Sequence, residues 1–425
     1  MRKTVLAILM ALVALCAFAV AEETAQDWVK KGDEPLVGES PEEMWNKTYG
    51  GLGNDLASEI QVTDDGGCII IGVTESYGAG DGDAWLIKTD SEGKEEWNKT
   101  FGGTGYDNGQ SVRETGDGGY IIAGRTESYG AGDSDLWLIK TDSDGNEEWN
   151  KTFGGPDNDR GWSVRETNDD GYIISGGTES SGAGNGDLWL IKTDSSGTKL
   201  WDRTFGGPGF DWGNSIQEAS DDGYITAGFT RSYGAGESDV WLIKTDSYGN
   251  KEWDAIFGGP DNDSGSSVQE TSDGGYIITG YTASFGAEGM DLWLIKTDSE
   301  GQEEWNRTFG EPEQDIGPLG GESGNDQGEA VQVTSDGGYI IAGYTTSYGA
   351  FPGDLWLIKT NSEGVLEWDM TSGRRGTDDG VSVQETSEGE YIIAGITDRY
   401  GAGGIDVWLV KVKLAAVPPP VYGVS

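Results

Sequence analysis

From Trp45 onward the chain alternates short apolar runs with polar, glycine-rich stretches, and the alternation repeats. Residues 111–153 show one complete cycle. Ser111–Thr115 (SVRET) leads into Asp-Gly-Gly at 117–119, and Tyr120–Thr126 (YIIAGRT) follows. A glycine-rich loop at 128–134 precedes Asp135–Thr141 (DLWLIKT), and the turn Asp142–Gly145 leads into Glu147–Phe153 (EEWNKTF). Asp/Gly turns between β-branched and aromatic runs predict antiparallel hairpins, so the cycle reads as four short strands. The Tyr-Ile-Ile-Ala and Leu-Trp-Leu-Ile runs are apolar at consecutive positions, which predicts strands buried on both faces, as in a sheet held between two others. No segment between Glu22 and Pro418 sustains a helical period.

The cycle recurs. Trp45, Trp97, Trp149, Trp201, Trp253, Trp305 and Trp368 mark it, the first five intervals being 52 residues and the last 63. A second series, Trp85, Trp137, Trp189, Trp241, Trp293, Trp356 and Trp408, lies in the DLWLIK-like runs. A period near 50 signals a propeller blade or a solenoid rung. Four strands with two tight hairpins per unit favour the blade over a long β-solenoid. Trp45–Tyr49 matches a fourth strand with no preceding three, while the last unit supplies Val381–Thr386, Tyr391–Thr397 and Asp406–Lys413 and stops. The expected fold is therefore all-β, a seven-bladed β-propeller of four-stranded antiparallel blades over 45–413. Its N-terminal strand, 45–50, completes the last blade and leaves no open edge.

Composition narrows the function. A chain of 425 residues would ordinarily divide into two or three domains, but the repeat makes this one. Histidine is absent, which excludes imidazole acid–base chemistry and histidine metal ligation. The net charge of −47 excludes nucleic acid and anionic lipid as partners. Arg2 and Lys3, an apolar run over 5–18 and Ala19-Val20-Ala21 read as a signal peptide over 1–21, followed by a spacer at 22–44. The rival is an uncleaved amino-terminal anchor. Residues 414–425 read as a Pro-rich tail, so the expected location is outside the cell or at its surface, with no direct membrane insertion after cleavage. Cys68 would then be the sole cysteine; it stands at the tyrosine position of a second strand and is expected to be buried and inert.

The pattern Asp-x-x-Gly-x-x-x-Trp (Asp90, Gly93, Trp97; Asp142, Gly145, Trp149) resembles the tryptophan-docking motif of quinoprotein-like propellers. With GYIIAGxT, DLWLIKTD and WNKTFGG, the unit resembles repeats of secreted prokaryotic, often archaeal, propeller proteins over residues 45–413. The resemblance implies the fold, with tryptophan wedged between blades, and brings no cofactor. The quinone site of the dehydrogenases needs an adjacent cysteine pair that this chain lacks.

Long, variable segments should gather on one face, where the second-to-third strand loops and the blade connections lie. That face is expected to carry Tyr77, Tyr129, Tyr233, Phe285, Tyr348 and Tyr400 at one repeated position, with Ser181 as the exception. Repetition at one position favours packing over binding. Tyr106, Trp162, Phe210 and Trp212 fall in or beside the blade connections, and blade architecture does not account for Trp162 or Trp212. Aromatic rings beside Asp, Asn and Gln suit sugars, because a flat ring stacks on the apolar face of a pyranose. An insertion within residues 311–325 belongs to the same face.

Asp55, Asp107, Asp159, Asp211, Asp263, Asp326 and Asp379 read as one repeated connection position, whose simplest role is loop capping. Asp157 and Asp159, and Asp261 and Asp263, are the calcium candidates, though neither cluster completes a known loop motif. Asn46, Asn98, Asn150, Asn262 and Asn306 are N-glycosylation sequons, four of them on outer strands. No nucleophile–base pair emerges from the sequence. The expected function is a non-enzymatic extracellular binding or adhesion module for glycan or protein. The alternatives are a glycan-active enzyme resembling a glycoside hydrolase, and a purely structural envelope component.

Overall fold

The computed structural model describes residues 41–287, 289–310, 324–350 and 352–414. The signal peptide, most of the spacer, most of the insertion near 311–325 and the Pro-rich tail lie outside the described residues.

Twenty-eight strands form seven four-stranded antiparallel sheets. In blade 2 the order is Asp107–Glu114, Tyr120–Thr126, Asp135–Thr141 and Glu147–Phe153, each strand paired with the next. The first strands touch those of the neighbouring blades all the way round, including Asp55–Val62 against Asp378–Glu385, so they form the inner ring. The closing blade joins Pro41–Tyr49 to Asp406–Leu414, two ends of the chain in one sheet. The closing strand starts at Pro41, earlier than the 45–50 expected.

Second and third strands are buried on both faces, as Asp135–Thr141 is at every position. Seven apolar clusters result, each lying between two blades and holding residues from both. The fourth-strand tryptophans dock across these seams. Trp97 of blade 1 packs with Tyr120 of blade 2 at 5.9 Å between centroids. It also lies over Gly145, where a Cβ would come within 2.5 Å of the indole and φ is +72°. Glycine is required there on both counts.

The third-strand lysines, unremarked in the sequence, are buried with their ammonium groups at the end of each blade that carries the first-to-second and third-to-fourth turns. Lys140 bonds Asp117, Glu148 and the Thr141 carbonyl. Cys68 is buried, and burial pushes its thiol up to about 11.

Candidate functional site: the central channel

Each first strand carries a bulge at the same place. Register shifts at Ala57/Glu59, Gly109/Ser111, Gly161/Ser163, Gly213/Ser215, Gly265/Ser267, Gly328/Ala330 and Gly380/Ser382 leave one residue of each strand unpaired. These are Ser58, Gln110, Trp162, Asn214, Ser266, Glu329 and Val381, and all seven line a single cavity of about 390 Å³ on the ring axis. A bulge re-aims a side chain out of the pleat, here away from the flanking blades and into the channel. The repeat that duplicates the turns and cores places six different side chains at the seven positions of this row.

A second variable row is the residue after the leading aspartate: Leu56, Asn108, Arg160, Trp212, Ser264, Gln327 and Asp379. Across the seam between blades 3 and 4, bulge residue Trp162 meets Trp212, with centroids 6.1 Å apart and planes inclined by 35°. Phe210 and Phe229 each pack on Trp212 at 6.1 Å, and the Arg160 guanidinium lies 5.3 Å from its ring centre. Arg125 lies over Tyr106 at 5.0 Å. The indole N–H groups of Trp162 and Trp212 and the Nε of Arg160 are buried without hydrogen-bond partners.

Trp162 and Trp212 therefore sit on strands, not in the connections the sequence suggested. The first strands begin at the leading aspartate, four residues before the Ser111 start expected for blade 2.

The seam between blades 6 and 7 uses the same two positions for Glu329 and Asp379. The carboxyls are raised by burial, and Asp379 is raised further by the charge of Glu329, reaching about 7. One Asp379 oxygen is buried without a partner. Among the described residues no lysine or arginine pairs with either acid. Burial raises the hydroxyls of Tyr344 and Tyr281; the charge of Asp379 adds to the rise at Tyr344, while at Tyr281 Arg231 opposes it and Glu329 adds to it. Glu59 in the same channel is the contrast. Burial opposes its charge, but Arg113 and Arg165, the latter at 4.0 Å, outweigh burial and hold its carboxyl below the usual value.

Asp379 itself is a correction. Asp378, not Asp379, pairs with Thr397 as Asp55 pairs with Thr74. Two consecutive aspartates concealed the register in the sequence, and the second one faces the channel seam.

The other predicted residues fall outside the channel. Tyr77, Tyr129, Tyr233 and Tyr348 donate their hydroxyls to the carbonyls of Gly50, Gly102, Gly206 and Gly310. Their rings, and those of Phe285 and Tyr400, lie on third-strand tryptophans at 5.2–5.7 Å. They pin loops to blades while remaining partly exposed. Asp159 and Asp263 are fully buried and accept from loop amides and hydroxyls, Gly155 and Ser180 on one oxygen of Asp159, Gly259 and Ser284 at Asp263, while the other Asp159 oxygen has no partner. Asp157 and Asp261 direct only their backbone amides into those networks, at Ser180 and Ser284. Among the described residues no three acidic, cysteine or histidine side chains gather into a metal cage.

Asn98, Asn150 and Asn306 accept from the indoles of Trp85, Trp137 and Trp293. Asn46 bonds Glu43, and Asn262 bonds Ser238 and Glu237. These asparagines thus have structural partners besides any glycan.

No protein-family model and no curated protein matches this sequence. Among solved structures, the chain is similar to the polysaccharide lyase Uly1 at 10% identity and a TM-score of 0.49, covering 93% of this chain and 94% of that one. It is similar to Sqt1 from Chaetomium thermophilum at 11% identity and 0.46, covering 89% and 99%. An α-L-arabinanase of Penicillium chrysogenum complexed with arabinobiose aligns at 12% identity and 0.40, covering 70% and 91%. These likenesses are loose, and the architecture rests on the strand pairing.

Proposed function

We propose that the protein is an extracellular carbohydrate-binding or adhesion module that takes its ligand at the central channel. One observation carries this reading: Trp162 lines the channel cavity and packs against Trp212, and both indole N–H groups are unpartnered. Tryptophan is costly to leave partly accessible and its N–H costly to leave unpaired. A pyranose offers an apolar face for the rings and hydroxyls for the N–H groups. The cavity volume falls within the ~300–1,000 Å³ of small-molecule sites. Export is part of the proposal and rests on the N-terminal sequence. Retention on a panel of immobilised polysaccharides tests it. Wild-type protein should be retained and Trp162→Ala should not; equal retention of the two by every polysaccharide would refute the reading.

A glycan-active enzyme is the second reading. It is favoured by Glu329 and Asp379, because glycoside hydrolysis uses one protonated and one ionised carboxyl. Release of reducing ends by the purified protein, abolished by Glu329→Gln, is its test.

A further inference from the structure

Resting on the channel as a glycan site, we propose that the glycan carries protonated amines, and that Glu329, Asp379 and Tyr344 form the subsite that receives them. The amine-bearing class is the 2-amino-2-deoxy sugar with its nitrogen free rather than acetylated.

Glu329 lines the same cavity as Trp162, three blades round the ring from it. Its geometry follows from the repeat. Glu329 is a bulge residue and Asp379 the second residue of the next first strand, the positions at which Trp162 and Trp212 meet. Tyr344 pairs with Gln327, and Tyr281 with Ser264, at the sheet position that Gly177 holds in blade 3. Gly177 is where a Cβ would touch Trp212, so this position faces the second residue of the following blade. Tyr344 therefore stands over Asp379, where it lends a ring face to any cation, while Tyr281 faces Gln327.

Two carboxyls taken out of water beside each other are unfavourable unless a positive charge joins them. Elsewhere this chain supplies that charge: Glu59 has Arg113 and Arg165, and buried Lys140 has Asp117 and Glu148. At Glu329 and Asp379 no described residue does, and an Asp379 oxygen is left without any donor. An ammonium group from a ligand would supply both the charge and the donors. The net charge of −47 adds long-range attraction for a cationic ligand and repulsion for an anionic one.

The test is calorimetric titration with soluble glucosamine oligosaccharides and with their N-acetylated counterparts, which differ only in the amine. Wild-type protein should bind the free-amine series at least about tenfold more tightly, the effect of ~1.4 kcal/mol. Glu329→Gln and Asp379→Asn should erase that preference, whereas Asp144→Asn, which removes the same charge from an exposed turn, should keep it. Equal affinity for both series with loss of both in Trp162→Ala would overturn the amine subsite and leave the glycan reading standing. A preference weakened as much by Asp144→Asn would assign it to overall charge and also overturn the subsite. Reducing ends released from either series would give the two acids to catalysis instead. No binding to any oligosaccharide, neutral ones included, would sink both readings.

Discussion

At the scale of single residues, buried polar atoms without a partner occur in blades and loops, as at Trp45, Thr193 and Asp239, as well as at Trp162 and Asp379. Asp159 and Asp263 were legible as repeated acids, but their burial was not: the carboxylates hold loops together through amides and hydroxyls. The channel acids behave oppositely. The Asp379 carboxyl is raised to about 7 by burial and then by Glu329. A raised acid contributes stability that is present below its unfolded value and lost as pH rises through the folded one. Asp379→Asn is thus expected to raise the melting midpoint more at pH 8 than at pH 5, as scanning calorimetry would show. A lower midpoint at pH 8 would mean that the acid is structurally required. Trp162→Ala should leave the midpoint within a few degrees, since that ring lines a cavity. Trp212→Ala should cost about 3 kcal/mol, because Phe210, Phe229 and Gly177 all pack on its ring.

The blade is where the sequence was most readable. Turn chemistry, apolar runs and the two tryptophan series implied four strands, and the sheets carry those strands in that order. Strand ends were less readable, because the leading aspartate and the variable residues after it look like loop. Those polar residues are in the ladder, paired to the second strand on either side of the bulge. A bulge has no composition of its own, so Trp162 could be singled out as unexplained while its aim into a channel could not. Seven aligned bulge positions are nevertheless visible once the first strands are in register, and their variability is the signal that was available. Docking between blades is testable at this scale. Trp97→Ala removes a half-buried ring from the seam, and Gly145→Ala places a methyl group against it at a positive φ. Each should cost roughly 2–4 kcal/mol in urea unfolding, and the double variant should cost less than the two losses together, since one contact is broken twice.

Over the whole molecule, closure and charge dominate. The ring is shut by one strand from the start of the described chain lying on Asp406–Leu414. A protein lacking residues 41–49 is expected to expose that edge and to self-associate, which light scattering would register; a monodisperse monomer of unchanged stability would count against closure as the source of cohesion. The pH response has two limbs. Asp65, Asp117, Asp169, Asp273 and Asp336 are partly desolvated, yet lysine, threonine and amide donors outweigh this and hold them at about 2. Their stabilisation is complete above the unfolded value and lost as pH falls towards 2. Asp291, Asp354 and Asp379, raised to about 6, 7 and 7, act in the opposite direction and lose theirs as pH rises through that range. Stability should therefore peak at about pH 4 and fall as pH rises towards about 7.

The central claim is that a ligand enters a channel whose seven-fold repeat was broken in a few chosen places. Its most direct measurement is a calorimetric titration of wild-type protein, Trp162→Ala and Tyr129→Phe with oligosaccharides of the best-retained polysaccharide. Tyr129 belongs to the outer loop row, packing on Trp137 of its own blade and bonding Gly102 in the connection from the preceding one. The account predicts saturable binding that survives Tyr129→Phe and weakens at least about tenfold, or ~1.4 kcal/mol, in Trp162→Ala. Binding lost with Tyr129→Phe and untouched by Trp162→Ala would move the site to the loop face and contradict it.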